Sequence, residues 1–460
     1  MTQILRGTAL LLLIMAAPAL AAGPLPAPAA GAQVPAAGMP AAATPTGRVV
    51  TLPEALATAL SRQPQLASAR AQTEAAAARA HQARAAFAPQ VSTSLGYSRS
   101  TANGTAKVGS YSFLSNSTDM YNNFSYGLTA SYLLYDFGAT ENQYQAARAA
   151  IDAQKEGEKT TALAIALSVR SAYYTARAAR TMVAVAREAL SNQERHLKQI
   201  QSFVSVGMRP PIDLYQARTD VANARADLIT AENNYETAKA TLNQAMGIEG
   251  GTDFDVSDDP APPVQGEDGM TEPLLDEALK ARPEFAALAA QAKAKELSLK
   301  AVTAGYWPTV GLSGSYTGSG EELGETGWNF GLGVTATWSL YKGGLTQAQS
   351  AELLAGIRDI NAQVDSMRQG VRLEIEQARL AVRAAKASLA ATADAVAAAR
   401  ETLRLAEGRY GAGVGNILEL SDAQLVLTRA EAAAVSAEYN LSSARARLLK
   451  ALGRAETAGQ

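Results

Sequence analysis

No proline falls between Gly344 and Tyr410, and through that stretch small or apolar residues recur at alternating steps of four and three. Leu353, Ile357, Ile360, Val364, Met367 and Val371 lead; a double step of four reaches Ile375. The register then resumes through Ala378, Val382, Ala385, Leu389, Thr392, Val396, Ala399, Leu403, Ala406 and Tyr410. A heptad seam with one stutter predicts a supercoiling helix that unwinds locally near Val371. Such a helix is a rod of about 100 Å, roughly three small-domain diameters. A plain coiled coil would satisfy the pattern taken alone. What flanks the rod narrows the choice.

The chain has 460 residues, 47% hydrophobic and 18% charged, with a net charge of −2. That length suits about two to four domains, and the near-neutral balance leaves no electrostatic footprint for nucleic acid. Cysteine is absent, which excludes disulfides, thiolate metal sites and a lipid-carrying N-terminal Cys. His81 and His196 lie far apart in helical sequence with no ligand cluster around either, so both read as solvated surface residues. No metal and no cofactor is expected. There is no Gly-rich phosphate loop, nucleophile motif or His-containing triad, and an enzyme is not expected. The scattered Glu, Arg and Lys suit solvated helix faces.

Residues 1–21 combine Arg6, an apolar run and Ala19-Leu20-Ala21 as a small-x-small cleavage site. They read as an export signal, too short in its apolar run to span a membrane as a helix. Residues 22–50 are dominated by Ala, Pro and Gly and read as a disordered linker.

The remainder is written twice. Pro64 recurs as Pro283 and Pro89 as Pro308, both at an offset of 219. Tyr135 recurs as Tyr341, Gly207 as Gly413 and Gly247 as Gly453, all at an offset of 206. The difference of 13 falls in the Ser-, Asn-, Gly- and Thr-rich loop between Arg99 and Asn123, where an internal repeat tolerates a length change. Residues 51–250 form repeat 1, 251–271 an acidic linker at mid-height, 272–454 repeat 2 and 455–460 a C-terminal tail. Each repeat predicts a half-length helix (53–87; 272–304), two strands around the loop, a long helix (138–203; 344–410), a tight turn and a second half-length helix (212–246; 417–452). Stacked end to end, the two half helices of a repeat would lie along its long one.

The strands set the class. Phe124, Tyr126, Leu128, Ala130, Tyr132 and Leu134 alternate with small polar residues, as do Trp328, Phe330, Leu332, Val334, Ala336, Trp338 and Leu340. Val91 to Tyr97 and Val310 to Tyr316 alternate more weakly. Segments of about 9–11 residues span a bilayer as tilted strands, and Tyr97, Phe124, Tyr126, Tyr135, Trp328, Trp338 and Tyr341 would form aromatic girdles at its interfaces. A soluble sandwich shows the same alternation, but four strands would leave it two open edges. A membrane-spanning sheet must close, and the smallest closed barrels have about eight strands. Several chains would therefore share one barrel. The fold class expected is a mixed α+β membrane protein: a long coiled-coil helical barrel plus a transmembrane β-barrel shared between protomers, four strands and two internal repeats per chain.

In this order of elements, and in the tip motifs Val206-Gly207 with Ile212-Asp213 and Tyr410-Gly411-Ala412-Gly413 with Glu419-Leu420-Ser421-Asp422-Ala423, the chain resembles the TolC-type outer-membrane efflux proteins. The resemblance runs from about Leu52 to Gly453. It implies a homotrimer in the outer-membrane lipid with its helices in the periplasm. It further implies an exit duct of a tripartite efflux or type I secretion system, partnered by a periplasmic membrane-fusion adaptor and an inner-membrane pump. The alternative reading is a soluble periplasmic coiled-coil adaptor or scaffold, which would share the export signal and long hairpins but not aromatic-capped strands.

The resemblance also implies roles at the tips. Gly207 and Gly413 would turn the adaptor-docking tips; Asp213, Tyr410, Glu419 and Asp422 would belong to the periplasmic gate. Asn416 with Glu419 three residues later also forms a capping-box pattern, so Glu419 has two readings, cap and pore. Glu419 and Asp422 share a helix face. Where the family carries a gate arginine, this chain has Gly415, and Arg209 of the first hairpin is the candidate substitute, the other reading being a solvated turn residue.

Overall fold

The computed structural model describes residues 48–101, 104–108, 111–115 and 120–454; the export signal, nearly all of the Ala/Pro-rich linker and the C-terminal tail lie outside them. Repeat 1 contains α1 (Leu52–Arg62), α2 (Pro64–Ala85), β2 (Gln90–Thr101), β5 (Met120–Tyr135), α3 (Ala139–Ser205) and α4 (Pro211–Met246). Repeat 2 contains α5 (Thr271–Ala281), α6 (Pro283–Ala304), β7 (Thr309–Gly320), β8 (Gly327–Thr337), α7 (Leu345–Gly411) and α8 (Ile417–Ala451). Three departures from the sequence reading have plain causes.

First, each leading half helix is two helices. Pro64 and Pro283 push the residue before them out of the helical region, so Gln63 (ψ 120°) and Arg282 (ψ 123°) are extended. Second, two stretches read as linkers form a parallel pair, β1 (Arg48–Val50) with β6 (Phe254–Val256). Val50 and Val256 enter a core with Leu56, Val169, Tyr173 and Leu242, which outweighs the local Pro/Gly bias. Third, the variable loop carries strand: β2 and β5 run far into it, and β3 (Gly104–Val108) pairs with β4 (Tyr111–Ser115).

The seam of α7 is its buried face. Ile360, Val371, Ile375, Ala378, Val382, Ala385, Ala399, Leu403, Ala406 and Tyr410 are all buried. The stutter from Val371 to Ile375 sits where α5 and the inter-repeat linker join the packing, in a core of Val264, Leu274, Leu275, Ile375, Val382 and Leu448. The two cores obey the sequence offsets. Val169 and Leu242 in one correspond to Ile375 and Leu448 in the other, and Leu56 and Ala59 to Leu275 and Ala278.

The long helix α3 packs against α2 and α6 over one half and against α4 and α8 over the other. At mid-height the end of each second half helix meets the extended residue before proline. Gly247 (φ 70°) ends α4 against Arg62 and Gln63, and Gly453 (φ 70°) ends α8 against Ala281 and Arg282. Both glycines adopt the left-handed conformation that closes a helix C-terminus, and backbone there lies too near for a Cβ on Gly247.

Strands β2, β5, β7 and β8 form one antiparallel sheet in that order. Its register puts Val91, Leu95, Tyr97, Phe124, Tyr126, Leu128, Tyr316, Phe330, Leu332 and Val334 on one face, and Ser94, Ser125, Thr129, Ser313, Ser315 and Thr335 on the other. Aromatic rings gather at both ends. Tyr97 meets Phe124 at 4.9 Å and Tyr316 meets Trp328 at 5.9 Å at one end; at the other Phe137 stacks on Trp307 at 5.2 Å, with Tyr135 tilted against Phe137 at 4.8 Å. Strand β8 stops at Thr337, so Trp338 and Tyr341 lie beyond it, and the Trp338 indole donates to the Tyr306 carbonyl at 3.0 Å. The Tyr126 ring lies across Gly318 of the paired strand, in space a Cβ would overlap. Among the described residues no helix is long and apolar enough to cross a membrane.

The inter-repeat linker is held to the helices by charge. Glu267 accepts from Arg445 (2.9 and 3.0 Å) and the Val264 N–H (2.9 Å), and Lys386 lies 2.8 Å away. Burial pushes this carboxyl up, but the bonds from Arg445, Lys386 and Val264 overrule it and hold it down at about 2. A depressed carboxylate contributes stability that is complete above its ordinary value and is lost as pH falls towards the folded one. Linker amides should therefore lose hydrogen-exchange protection as pH drops from about 4.5 towards about 2. Glu267→Gln should lose about 3–5 kcal/mol of local stability at pH 7, with no further acid step in that window.

Candidate functional site at the helical hairpin tips

Each long helix ends in the same way. After α3, Gly207 (φ 73°) turns the chain, its N–H bonded to the Val204 carbonyl (3.1 Å), and the Met208 N–H donates to the Phe203 carbonyl (2.9 Å). After α7, Gly413 (φ 79°) does likewise, with the Val414 N–H on the Arg409 carbonyl (3.1 Å). Side chains rarely adopt these φ values, which is why glycine stands at both turns. Pro211 opens α4 at a position where its missing N–H costs nothing. Apolar side chains crown both tips in the open: Val206, Met208 and Ile212 on the first, Val414 and Leu418 on the second.

The structure brings Tyr410, Arg209 and Asp213 together. Tyr410 is 1% exposed and packs with Ile200, Leu403, Ile417 and Leu420, with Phe203 beside it. The Arg209 guanidinium lies 4.5 Å over the Tyr410 ring and donates to the carbonyls of Gly415 (3.0 Å) and Tyr410 (3.4 Å). It is a bridge between the hairpins, not a solvated turn residue. Asp213 is 6% exposed. Burial, helped by the Asp213 charge and opposed by Arg209, pushes the Tyr410 hydroxyl up, and among the described residues that hydroxyl has no hydrogen-bond partner.

Gly415 explains the shift of the arginine. It occupies in repeat 2 the place that Arg209 occupies in repeat 1, and it is buried. A Cβ there would lie 2.8 Å from the Tyr410 nitrogen and 3.0 Å from the Arg409 carbonyl carbon. The second tip has closed too tightly for a side chain at that position, so a guanidinium can reach this spot only from the first tip.

Glu419 and Asp422 lie apart from this cluster. Both are exposed, and both line a groove of about 860 Å³ floored by α3 and walled by α4 and α8, which also carries Asp220 and Asp227. The capping box does not form. Asn416 Oδ1 accepts from the Leu418 N–H (3.3 Å), but the Glu419 carboxylate turns to Arg409 Nε at 3.0 Å. Asp422 has no ion-pair partner among the described residues.

His196 is the residue the sequence reading misplaced. Its side chain is 13% exposed and its Nε2 lies 3.3 Å from Glu407 of α7. The signal was present: His196, Ile200 and Phe203 follow steps of four and three on α3, so the histidine falls on the buried stripe.

The family model described as outer membrane efflux protein matches residues 55–248 and 274–454. The outer membrane efflux protein BepC of Brucella suis biovar 1 is 26% identical over 376 residues, 81% of this chain and 78% of its own. The pyoverdine export outer membrane protein OpmQ of Pseudomonas aeruginosa is 25% identical over 341 residues, 73% of this chain and 71% of its own. Among solved structures, the outer membrane protein VceC of Vibrio cholerae superposes with a TM-score of 0.72 at 20% identity, over 87% of this chain and 96% of that one.

Arg209→Ala should loosen the tips alone. Losing a desolvated cation–π contact costs about 1–2 kcal/mol, so amides of residues 410–415 should exchange roughly tenfold faster, with those of the sheet unchanged. Arg209→Lys should not restore the wild-type rate, because an ammonium lacks the planar fork that reaches both carbonyls.

Proposed function

The chain belongs to the outer membrane efflux protein family, and from that premise we propose that three copies assemble into one exit duct gated at the hairpin tips. The observation that carries this is the sheet: one apolar face, one polar face, aromatic rings at both ends, and edges at β2 and β8 that no strand among the described residues pairs. Copies joined β2 to β8 close it, with the apolar face towards lipid and the serine and threonine face towards the lumen. The helices then continue as a tunnel in the periplasm. An inner-membrane pump delivers solutes or polypeptides to it through an adaptor, whose helical hairpins seat on the tips at Gly207 and Gly413. The exposed Val206, Met208, Ile212, Val414 and Leu418 supply apolar contact there.

The gate has two parts. The Arg209–Tyr410 bridge, with Asp213 beside it, holds the two hairpins of one protomer together. Glu419 and Asp422, repeated by threefold symmetry, put carboxylates around the opening. Arg409 neutralises part of the Glu419 charge, so Asp422 dominates the field there. Carboxylates converging on a constriction draw in cations and exclude anions, within a Debye length of about 8–10 Å near physiological salt.

Two measurements test the reading. Mass determination in detergent should return three chains per particle; a monomer would contradict barrel sharing. In planar bilayers the channel should be cation-selective, and Asp422→Ala should weaken that selectivity and block by a multivalent cation from the periplasmic side. Selectivity unchanged in Asp422→Ala would mean that these acids face away from the lumen.

A further inference from the structure

One buried titratable group near the tips has no part in the gate described above. His196 projects from α3 towards α7, one turn behind Ile200, and Glu407 stands three residues before Tyr410. Ile200 and Tyr410 share the tip core. The imidazole therefore lies at the same α3–α7 seam that the Arg209 bridge closes, one helical turn further from the turns.

We propose that His196 is an acid-triggered release of this seam: neutral it packs between α3 and α7, and protonated it drives them apart. The inference rests on the tips being a gate and adds how that gate would be regulated. The geometry opposes a cation at this place. Among the described residues the buried Nε2 atom has no aligned hydrogen-bond partner, and the side chain is 13% exposed. Charging it there forfeits hydration that Glu407, 3.3 Å away, only partly replaces. The charged groups acting on it are Glu407 from α7 and Arg195 from its own helix; among the described residues none from α4 or α8 does. Glu407 favours the imidazolium, but its carboxylate is 42% exposed and poorly aligned, so water screens it. Arg195, held by Asn192, opposes it. Burial, the largest influence, lowers the histidine's affinity for a proton, Glu407 only partly restores it, and Arg195 lowers it further.

The sign follows. A histidine harder to protonate when packed than when solvated leaves the seam at full strength above its ordinary value of about 6.5 and weakens it as pH falls below. One unit of difference corresponds to roughly a tenfold shift in the packing equilibrium.

The test uses the full-length protein in detergent and in planar bilayers, comparing wild type with His196→Gln at the same pH. At pH 7.5 the two should show equal hydrogen-exchange protection over residues 196–205 and 403–411. At pH 5.5 the wild type should exchange roughly three- to tenfold faster there than His196→Gln, and its channels should open more often. Glu407→Gln, which removes the one group favouring the imidazolium, should leave the onset of the step in place and deepen it, so that this variant exchanges faster than wild type at pH 5.5. Equal exchange of wild type and His196→Gln at pH 5.5 would overturn the proposal. So would greater protection of the wild type in acid, which would mean that the Glu407 pair wins. Faster exchange with unchanged channel opening would uphold the acid-labile seam and count against the gate.

Discussion

A backbone amide inside hydrocarbon must find its partner within protein, and among the described residues no strand pairs with the outer edges of β2 and β8. From this one constraint the architecture follows. In the proposed assembly the sheet continues into another copy, and the helices fixed to its strands are carried into the same ring. Those attachments are stiff. Asp136 caps the start of α3 by accepting from the Gly138 and Thr140 N–H groups at 3.1 and 2.7 Å. Gly343 and Gly344, at φ 62° and 80°, make the matching turn into α7. The strand-to-helix direction is thus set by a few backbone angles, and a rod of about 100 Å magnifies each of them.

The middle of the molecule is where the duplication is fastened. Each repeat ends a helix in a left-handed glycine against the residue before a proline, Gly247 on Gln63 and Gly453 on Arg282. In the first repeat Gln63 also donates to the carbonyls of Gln244 and Ala245. In the second, Arg282 pairs with Glu284 and Glu374 at 3.0 and 2.7 Å. The same backbone joint is held by a neutral side chain in one repeat and by charge in the other. Arg372, Arg379 and Lys386, at steps of seven on α7, then bind Glu272, the Gly269 carbonyl and Asp268. One helix face thereby grips the end of the acidic linker and the start of α5.

Much of this was legible in the sequence because it is periodic. The seam of α7 could be read residue by residue, from Ile360 to Tyr410, since burial repeats with the helix. The two-faced strands were readable for the same reason at period two. What was not legible depends on partners distant in sequence. Val50 and Val256 look like linker residues until they pair. Glu419 has a capping-box spacing, yet Arg409, ten residues earlier and across the turn, competes for its carboxylate and holds it at 3.0 Å. His196 looked solvated because charged neighbours mask the stripe it shares with Ile200. Phe137, Tyr306 and Trp307 join the aromatic end of the sheet from outside any strand, where alternation gives no signal.

The tips show how a duplicated chain can exchange parts between its copies. Arg209 and Gly415 occupy equivalent places, and only one of the two turns leaves room for a side chain. The guanidinium still comes to rest on the carbonyls of Tyr410 and Gly415, the turn that lacks its own arginine. What the geometry supplies is a cation at the end of α7, where the helix dipole concentrates negative charge. The residue number supplying it is free to move to the other hairpin, provided that hairpin packs alongside. The shared core of Ile200, Leu403, Tyr410 and Leu420 keeps it there. The bridge and the core therefore depend on each other: without the packing the arginine has nothing to reach, and without the arginine the carbonyls at the end of α7 lose their cation.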